Sequence, residues 1–246
     1  MSYKHWIKAI LLPVPIVGLI HLPRYLLDWR KYSQRAGAKL RFGDAYPCLM
    51  DSVGATPFDP HYFYQGGWLA RKLKSSMPAE HVDVGSSVMT VAAISAFVKT
   101  TFVDYRPLQA TLQDLSCRAG NITALPFQGD TLQSLSCLHV IEHIGLGRYG
   151  DPLDPDGSIA AAHELQRVVA PGGQLYLSTP VGRERTCFNA HRVFDPGTVV
   201  SMFDRMELVD FSCVDDLGKL HEGTALQAAA SSEYACGLFH FEKRAG

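Results

Sequence analysis

The sequence predicts an α/β fold in which helices cover a mostly parallel sheet. Three observations carry the prediction. From His81 onward short apolar runs alternate with helix-like stretches, the order expected when each strand is followed by a crossover helix. LQSLSCLHVIEH, residues 132–143, holds a near-continuous apolar run, as a strand buried on both faces requires. DGSIAAAHELQRVV then reaches Pro171-Gly172-Gly173, a helix stop, and QLYLSTP follows as the next strand.

The N-terminus differs from the rest. Ala9 to Ile20 is apolar throughout, but 12 residues fall short of the roughly 20 that a spanning helix needs, and Pro13, Pro15 and Pro23 interrupt its hydrogen bonding. No A-x-A site follows it, which argues against a secretory leader. Two readings remain for residues 1–35. One is an element docked on the protein's own surface. The other is a peripheral membrane segment, with Trp6, Tyr25 and Trp29 at headgroup depth and Lys4, Lys8, Arg24, Arg30 and Lys31 facing anionic lipid. A Gly-, Pro- and aromatic-rich loop, residues 42–67, leads into the helix YQGGWLARKLK. The expected division is therefore an arm and loop over residues 1–59 and one domain over residues 60–246.

Within that domain HVDV and KTTFVDY read as strands, each followed by a helix: SSVMTVAAISAF after the first, and Pro107 to Cys117 after the second, with proline in its first turn. NITAL reads as a third short strand. After QLYLSTP come a polar loop, a helix near Thr198 to Phe203, and the strands MELVDFSCV and CGLFHFEK. Asp156 is a candidate cap for the helix over residues 157–169.

Composition narrows the function. The 246 residues are 47% hydrophobic and 19% charged, which excludes a disordered, collagen-like or coiled-coil chain. Twenty-three basic against 24 acidic side chains leave no field that would hold nucleic acid. Six cysteines without a C-x-x-C pair are neither a disulfide framework nor a zinc spacing, and point to reduced thiols in the cytoplasm.

The stretches AGNITALPFQGDTLQSLSCLHVIEHI and ELQRVVAPGGQLYLSTPVG resemble the class I S-adenosylmethionine (SAM)-dependent methyltransferases, and the resemblance runs from about His81 to Lys243. YFYQGGWLARKL, DVGSS, HIGLGRYGD and FNAHRVF are similar to a subgroup of methyltransferase-like proteins that carry a domain-of-unknown-function label. The resemblance implies a Rossmann-like, doubly wound, seven-stranded sheet and a SAM cofactor. It also implies that Asn121 accepts from the adenine amino group and that Leu125 and Phe127 pack on the adenine. Tyr64 and Gln65 would cap the methionine end, with Trp68 beneath. Ser87 and Met89 stand where that family has further glycines.

The same residues can be read from their chemistry. Ligands of open parallel sheets bind beyond the carboxyl ends of the strands. Asp83-Val84-Gly85-Ser86-Ser87 forms the first strand-to-helix turn, where Gly85 permits a tight bend and Ser86 and Ser87 are small enough for their amides to face a ligand. The other reading is a plain tight turn. Asp104, with Tyr105 beside it, lies about 20 residues on and could take ribose hydroxyls, or cap a helix before Pro107.

Methyl transfer needs an in-line approach, and a base when the acceptor is a weakly acidic hydroxyl. His139, Glu142 and His143 end the fourth strand; Asn189, His191 and Arg192 follow the fifth. In one reading His143 or His191 is the base and Arg192 holds an anionic or polyol substrate. In another His139, Glu142, His143 and His191 gather a divalent metal, as in some methyltransferases with Glu-x-x-Glu-His after this strand; His139 in place of the first glutamate favours zinc or manganese over magnesium. A structural role for the histidines is the third. Arg148, Tyr149, Asp151 and Asp154 lie in a loop that reads as a substrate lid or a solvated turn. The expectation is a SAM-dependent methyltransferase acting on an oxygen or nitrogen of a small polar or sugar-containing molecule. Its rivals are a non-catalytic, methyltransferase-like binding module and a nucleotide-sugar enzyme of another reaction.

Overall fold

The computed structural model describes residues 16–36 and 40–245. The apolar run before Ile16, with Lys4, Trp6 and Lys8, lies outside the described residues. Two compact units make up the chain, Met1–Phe58 and Asp59–Gly246.

In the first unit a short 3-10 turn, Ile16–His21, leads into helix α1, Leu22–Ala36. Helix α1 buries none of its side chains, and Leu26, Leu27 and Tyr32 face solvent. Tyr25 and Trp29 meet one turn apart, and Arg24 pairs with Asp28 at 3.7 Å, both ordinary i,i+4 contacts. No helix among the described residues is long and apolar enough to cross a membrane.

The second unit is an eight-stranded sheet between two layers of helices. Its elements in chain order are α2 (Pro60–Ser76), β1 (Glu80–Val84), α3 (Val88–Ile94), β2 (Lys99–Asp104), β3 (Leu115–Ala119) and β4 (Leu132–Leu138). There follow α4 (Gly157–Val168), β5 (Val169–Val181), β6 (Arg185–Cys187), β7 (His191–Val193) and α5 (Pro196–Met202). Last come β8 (Met206–Val214), β9 (Leu220–His221), α6 (Gln227–Ala230) and β10 (Ala235–Lys243). The strand order is β3-β2-β1-β4-β5-β10-β8-β9. Strands β3 to β5 run parallel, and β10 runs antiparallel to both β5 and β8.

Alternation along the strands builds two cores. Leu135 and Cys137 of β4, Leu175 and Leu177 of β5, and Phe239 and Phe241 of β10 pack on one face against Ala161, Leu165, Val199 and Met202 of α4 and α5. Leu138, Tyr176, Cys236 and Leu238 point to the other face, against Trp68, Leu69 and Leu73 of α2 and Ile94 of α3. Each side chain this size that is removed from water contributes about 1.5–3 kcal/mol, so both faces must be covered. Lys243 ties the far end of the sheet to α4. Its buried ammonium donates to Gln166 O and Val169 O, at 2.6 and 2.8 Å, and to the Asp130 carboxylate at 2.6 Å, meeting the partial negative charge at the helix C-terminus.

Four expectations are corrected. The sheet has eight strands rather than seven, the additional one being the two-residue edge strand β9. No helix follows β2. Leu115–Cys117 belong to β3, which leaves ten residues for the connection, and Asp114 has φ 57, outside the helical region. NITAL is a turn and not a strand: the Asn121 side chain accepts from Thr123 N and Thr123 Oγ1, both at 3.0 Å, and closes the backbone on itself. The Asp156 side chain makes no capping bond to α4.

Candidate functional site

The strand order reverses between β1 and β4, and a cavity of about 310 Å³ opens at the carboxyl ends of β1, β2 and β4. Gly85 forms its first wall with φ +70, and a Cβ there would stand 3.2 Å from both γ-carbons of Val140. Buried polar groups hold this turn from behind. Asp83 accepts from Ser86 N at 3.1 Å and takes the Ser136 hydroxyl on its other oxygen. Ser136 also meets His81 Nε2 at 2.8 Å, and His81 Nδ1 meets Ser134 Oγ at 2.8 Å. Because Ser136 donates to Asp83, His81 Nε2 donates to Ser136, and the ring is neutral. Burial drives the His81 imidazole down to about 3. It also raises the Asp83 carboxyl to about 6, against the opposing hydrogen bonds from Ser136 and Ser86.

The end of β2 supplies the second wall. Asp104 accepts from Arg106 N at 2.7 Å through Oδ1, while its Oδ2 lies 3.8 Å from where a Gly85 Cβ would be. Tyr105, Asn121, Ile122 and Thr123 continue the lining. Asn121 cannot serve as expected: Thr123 N fixes its oxygen, so the amide N–H groups are what it offers a ligand.

The loop after β4 closes the cavity. Asp151 accepts from Gly145 N at 2.7 Å and Tyr149 N at 3.1 Å and holds the loop in a tight bend; Gly145 has φ +81 and no room for a Cβ against Asp154 O. Tyr149, presented by this bend, lines the cavity. Arg106 lies over its ring at 4.7 Å and Arg148 at 5.1 Å. The Tyr149 ring also meets His143 edge-on at 5.7 Å.

His143 lines the same cavity. Its Nδ1 donates to Ala190 O at 2.7 Å, so the lone pair of the neutral ring is on Nε2, which faces the Arg148 guanidinium at 3.4 Å and lies 3.7 Å from Glu142 Oε1. Burial, aided by Arg148 and His139, lowers its affinity for a proton, although Glu142 and Ala190 oppose this. Glu142 is fully buried and does not reach the cavity. One oxygen meets His139 Nδ1 at 2.9 Å and the other accepts from Thr179 Oγ1 at 3.3 Å. Burial raises the Glu142 carboxyl, but the charge and hydrogen bond of His139, with His143 beside it, carry it below its ordinary value.

Of the residues singled out in the sequence, the cavity gathers Gly85, Asp104, Tyr105, Asn121, His139 and His143, together with Tyr149, Asp151 and Asp154 of the loop after β4. The others stand elsewhere. Ser86 is buried and its hydroxyl accepts from Leu138 N at 3.0 Å, so it braces the turn and does not face a ligand. Ser87 precedes α3 without a capping bond. Leu125 belongs to the core, its N–H donating to Glu164 at 2.6 Å; Ile122 is the apolar lining residue instead. Tyr64 and Gln65 belong to α2, where Tyr64 packs against the second core and the buried Gln65 accepts from the Ser178 hydroxyl. Arg192 is corrected outright as a substrate anchor. Its guanidinium is buried and donates to Ile144 O at 2.6 Å, Ser158 Oγ at 3.0 Å, Pro155 O at 3.2 Å and Asp154 O at 3.3 Å. His191 lies against the Tyr234 ring at 4.9 Å, outside the cavity lining.

Sequence reasoning named Tyr149 only within a loop read as a lid or a solvated turn, and gave no role to His61, Tyr62, Tyr234 and Cys236. His61 stacks on His139 at 5.5 Å and on Tyr234 at 5.2 Å, and Tyr62 stacks on His139 at 5.6 Å. One signal was available: Asp59-Pro60 ahead of His61 is an N-cap followed by proline at N1, and Asp59 accepts from His61 N at 2.9 Å.

A family model described as "Caenorhabditis protein of unknown function, DUF268" matches residues 126–230. No curated protein sequence matches the chain. Solved structures do. The YcgJ protein from Bacillus subtilis is 16% identical with a TM-score of 0.52, over 75% of this chain and 100% of that one. The N-methyltransferase NodS from Bradyrhizobium japonicum, in complex with S-adenosyl-L-homocysteine, is 16% identical with a TM-score of 0.51, over 87% of this chain and 98% of that one. The [4+2]-cyclase SpnF is 12% identical with a TM-score of 0.54, over 90% and 95%. The strand order, the cavity at its switch point and these likenesses agree: the chain has the class I SAM-dependent methyltransferase fold.

Proposed function

We infer that the protein is a SAM-dependent methyltransferase whose acceptor is an oxygen or nitrogen of a small polar or sugar-containing molecule. The observation that carries the reading is that one cavity joins Asp104, at the end of β2, to a neutral His143 after β4. The residues suit the nucleoside part of SAM. Gly85 leaves open the space a Cβ would fill between Val140 and Asp104, and the cavity of about 310 Å³ lies within the range of small-molecule sites. NodS, of the same fold, was solved with the demethylated cofactor.

Asp104 would accept the ribose hydroxyls, Ile122 would pack on the base, and the Asn121 amide would donate to a ring nitrogen. Bound SAM supplies a methyl group on a positively charged sulfur. His143 Nε2 takes the acceptor's proton, with Ala190 O holding the ring in its orientation and the buried Glu142 carboxylate, 3.7 Å from Nε2, stabilising the imidazolium that forms. Tyr149 and Arg106, stacked at 4.7 Å, form one wall of the cavity. SpnF has this fold and is a cyclase, so the fold alone does not fix the reaction.

Calorimetric titration with SAM tests the reading. One site per chain is expected, weakened more than about tenfold in Gly85→Ala, whose Cβ would need a left-handed backbone and would enter the cradle. Absence of binding at about 1 mM ligand, a concentration matching only some 4 kcal/mol, would leave the non-catalytic module as the surviving reading.

A further inference from the structure

We propose that His61, His139 and Cys236 form a binding site for a zinc-class divalent ion. The three come from the first turn of α2, the residue after β4, and β10, and their ligand atoms all lie within 4.8 Å of one another. No sequence motif joins them; the fold does.

Spacing is the first argument. Tetrahedral zinc at about 2.0–2.1 Å from nitrogen and 2.3 Å from sulfur sets a nitrogen–sulfur separation near 3.5 Å. His139 Nε2 and Cys236 Sγ are 3.3 Å apart. His61, half-buried at the helix start, completes the triad with a ring nitrogen within 4.8 Å of both.

The surroundings give the second. Metal-binding histidines characteristically present their other ring nitrogen to a carboxylate, which fixes the ring and strengthens it as a ligand. His139 Nδ1 does this with Glu142 at 2.9 Å, and Thr179 holds Glu142 in turn. His139 also has φ +55, a left-handed backbone rare for a residue with a side chain, and its N–H donates to Ser178 O. Backbone and carboxylate together aim Nε2 at the thiol.

Donor chemistry is the third. Two imidazoles and a thiol favour zinc over magnesium or calcium, and three protein ligands leave a fourth position open. His139 lines the cavity, so an ion here would border it. The group differs from the one expected from sequence: His143 Nδ1 is committed to Ala190 O, and His191 lies beyond the Tyr234 ring. The site stands independently of the methyl-transfer reading, because zinc uptake is measured without SAM.

The test uses the full chain stripped with chelator and titrated with zinc against a chromophoric competitor. One zinc per chain is expected, with affinity falling more than about 100-fold in His61→Ala and unchanged in His191→Ala. Cobalt in place of zinc should give a thiolate-to-metal absorption band that Cys236→Ser abolishes. Cys236 is fully buried, so folding of that variant is checked by circular dichroism, and His61→Ala decides the matter if it unfolds. Failure of the wild-type chain to take up zinc, or equal affinity in His61→Ala, overturns the proposal and leaves a hydrogen-bonded imidazole and thiol.

Discussion

His143 Nδ1 lies 2.7 Å from the carbonyl oxygen of Ala190, and that contact decides which nitrogen of the ring can receive a proton. A carbonyl only accepts, so Nδ1 keeps its hydrogen and Nε2 is left as the basic atom.

His143→Gln should therefore lower kcat about 10²–10⁴-fold on a hydroxyl acceptor, the usual worth of a positioned base, with SAM affinity little changed. Because burial lowers the His143 pKa, the deprotonated, active form persists into mild acid, and the acid limb of kcat/KM should fall below 6.5, the ordinary imidazole value. A pH–rate profile with its acid limb above 6.5 would remove His143 as the base.

Arg192 makes the opposite prediction. With its guanidinium bonded to Ile144 O, Asp154 O, Pro155 O and Ser158 Oγ, truncation leaves several acceptors buried and unpaired. Arg192→Ala should cost about 2–4 kcal/mol in urea unfolding. A raised KM at unaltered stability would restore its role as a substrate anchor.

The pair His81 and Asp83 predicts an offset in acid stability. His81 is depressed to about 3, so as pH falls below 6.5 the unfolded chain gains a proton that the folded one refuses, and stability drops by about 1.4 kcal/mol per pH unit. Asp83 is raised to about 6, so between that value and its ordinary 3.8 the folded chain gains the proton and stability rises as pH falls. Between pH 6 and 4 the two slopes oppose each other. Asp83→Asn removes one of them, and its urea midpoint should fall more steeply than the wild-type one over that range. Parallel curves would show that the buried pair does not titrate in this way.

Strands β4 and β5 were legible because burial on both faces keeps most of their residues apolar or small, and β1 and β2 because each carries a pair of apolar residues, Val82 and Val84 or Phe102 and Val103, ahead of a turn; His139 and His143 were legible because they follow β4. Strand β3 was not. Its sequence LSCRA is mostly solvent-facing at the sheet edge, so it carries no apolar run and reads as the end of a helix. Ile122 and Leu125 misled in the other direction: both are buried, and they suggest a strand where the backbone makes a turn. Cys236 was invisible for a topological reason. Only the placement of β10 beside β5 brings it to His139, nearly a hundred residues earlier in the chain.

That placement has a bearing on how the protein is made. Strand β10 is the last in the chain, yet it lies between β5 and β8, with Lys243 anchoring α4. During synthesis the parallel strands are complete long before residues 235–243 leave the ribosome, and β5 meanwhile presents an unpaired, apolar edge. The domain therefore depends on a late, long-range closure, and chains halted before Ala235 should be the ones that aggregate or engage chaperones.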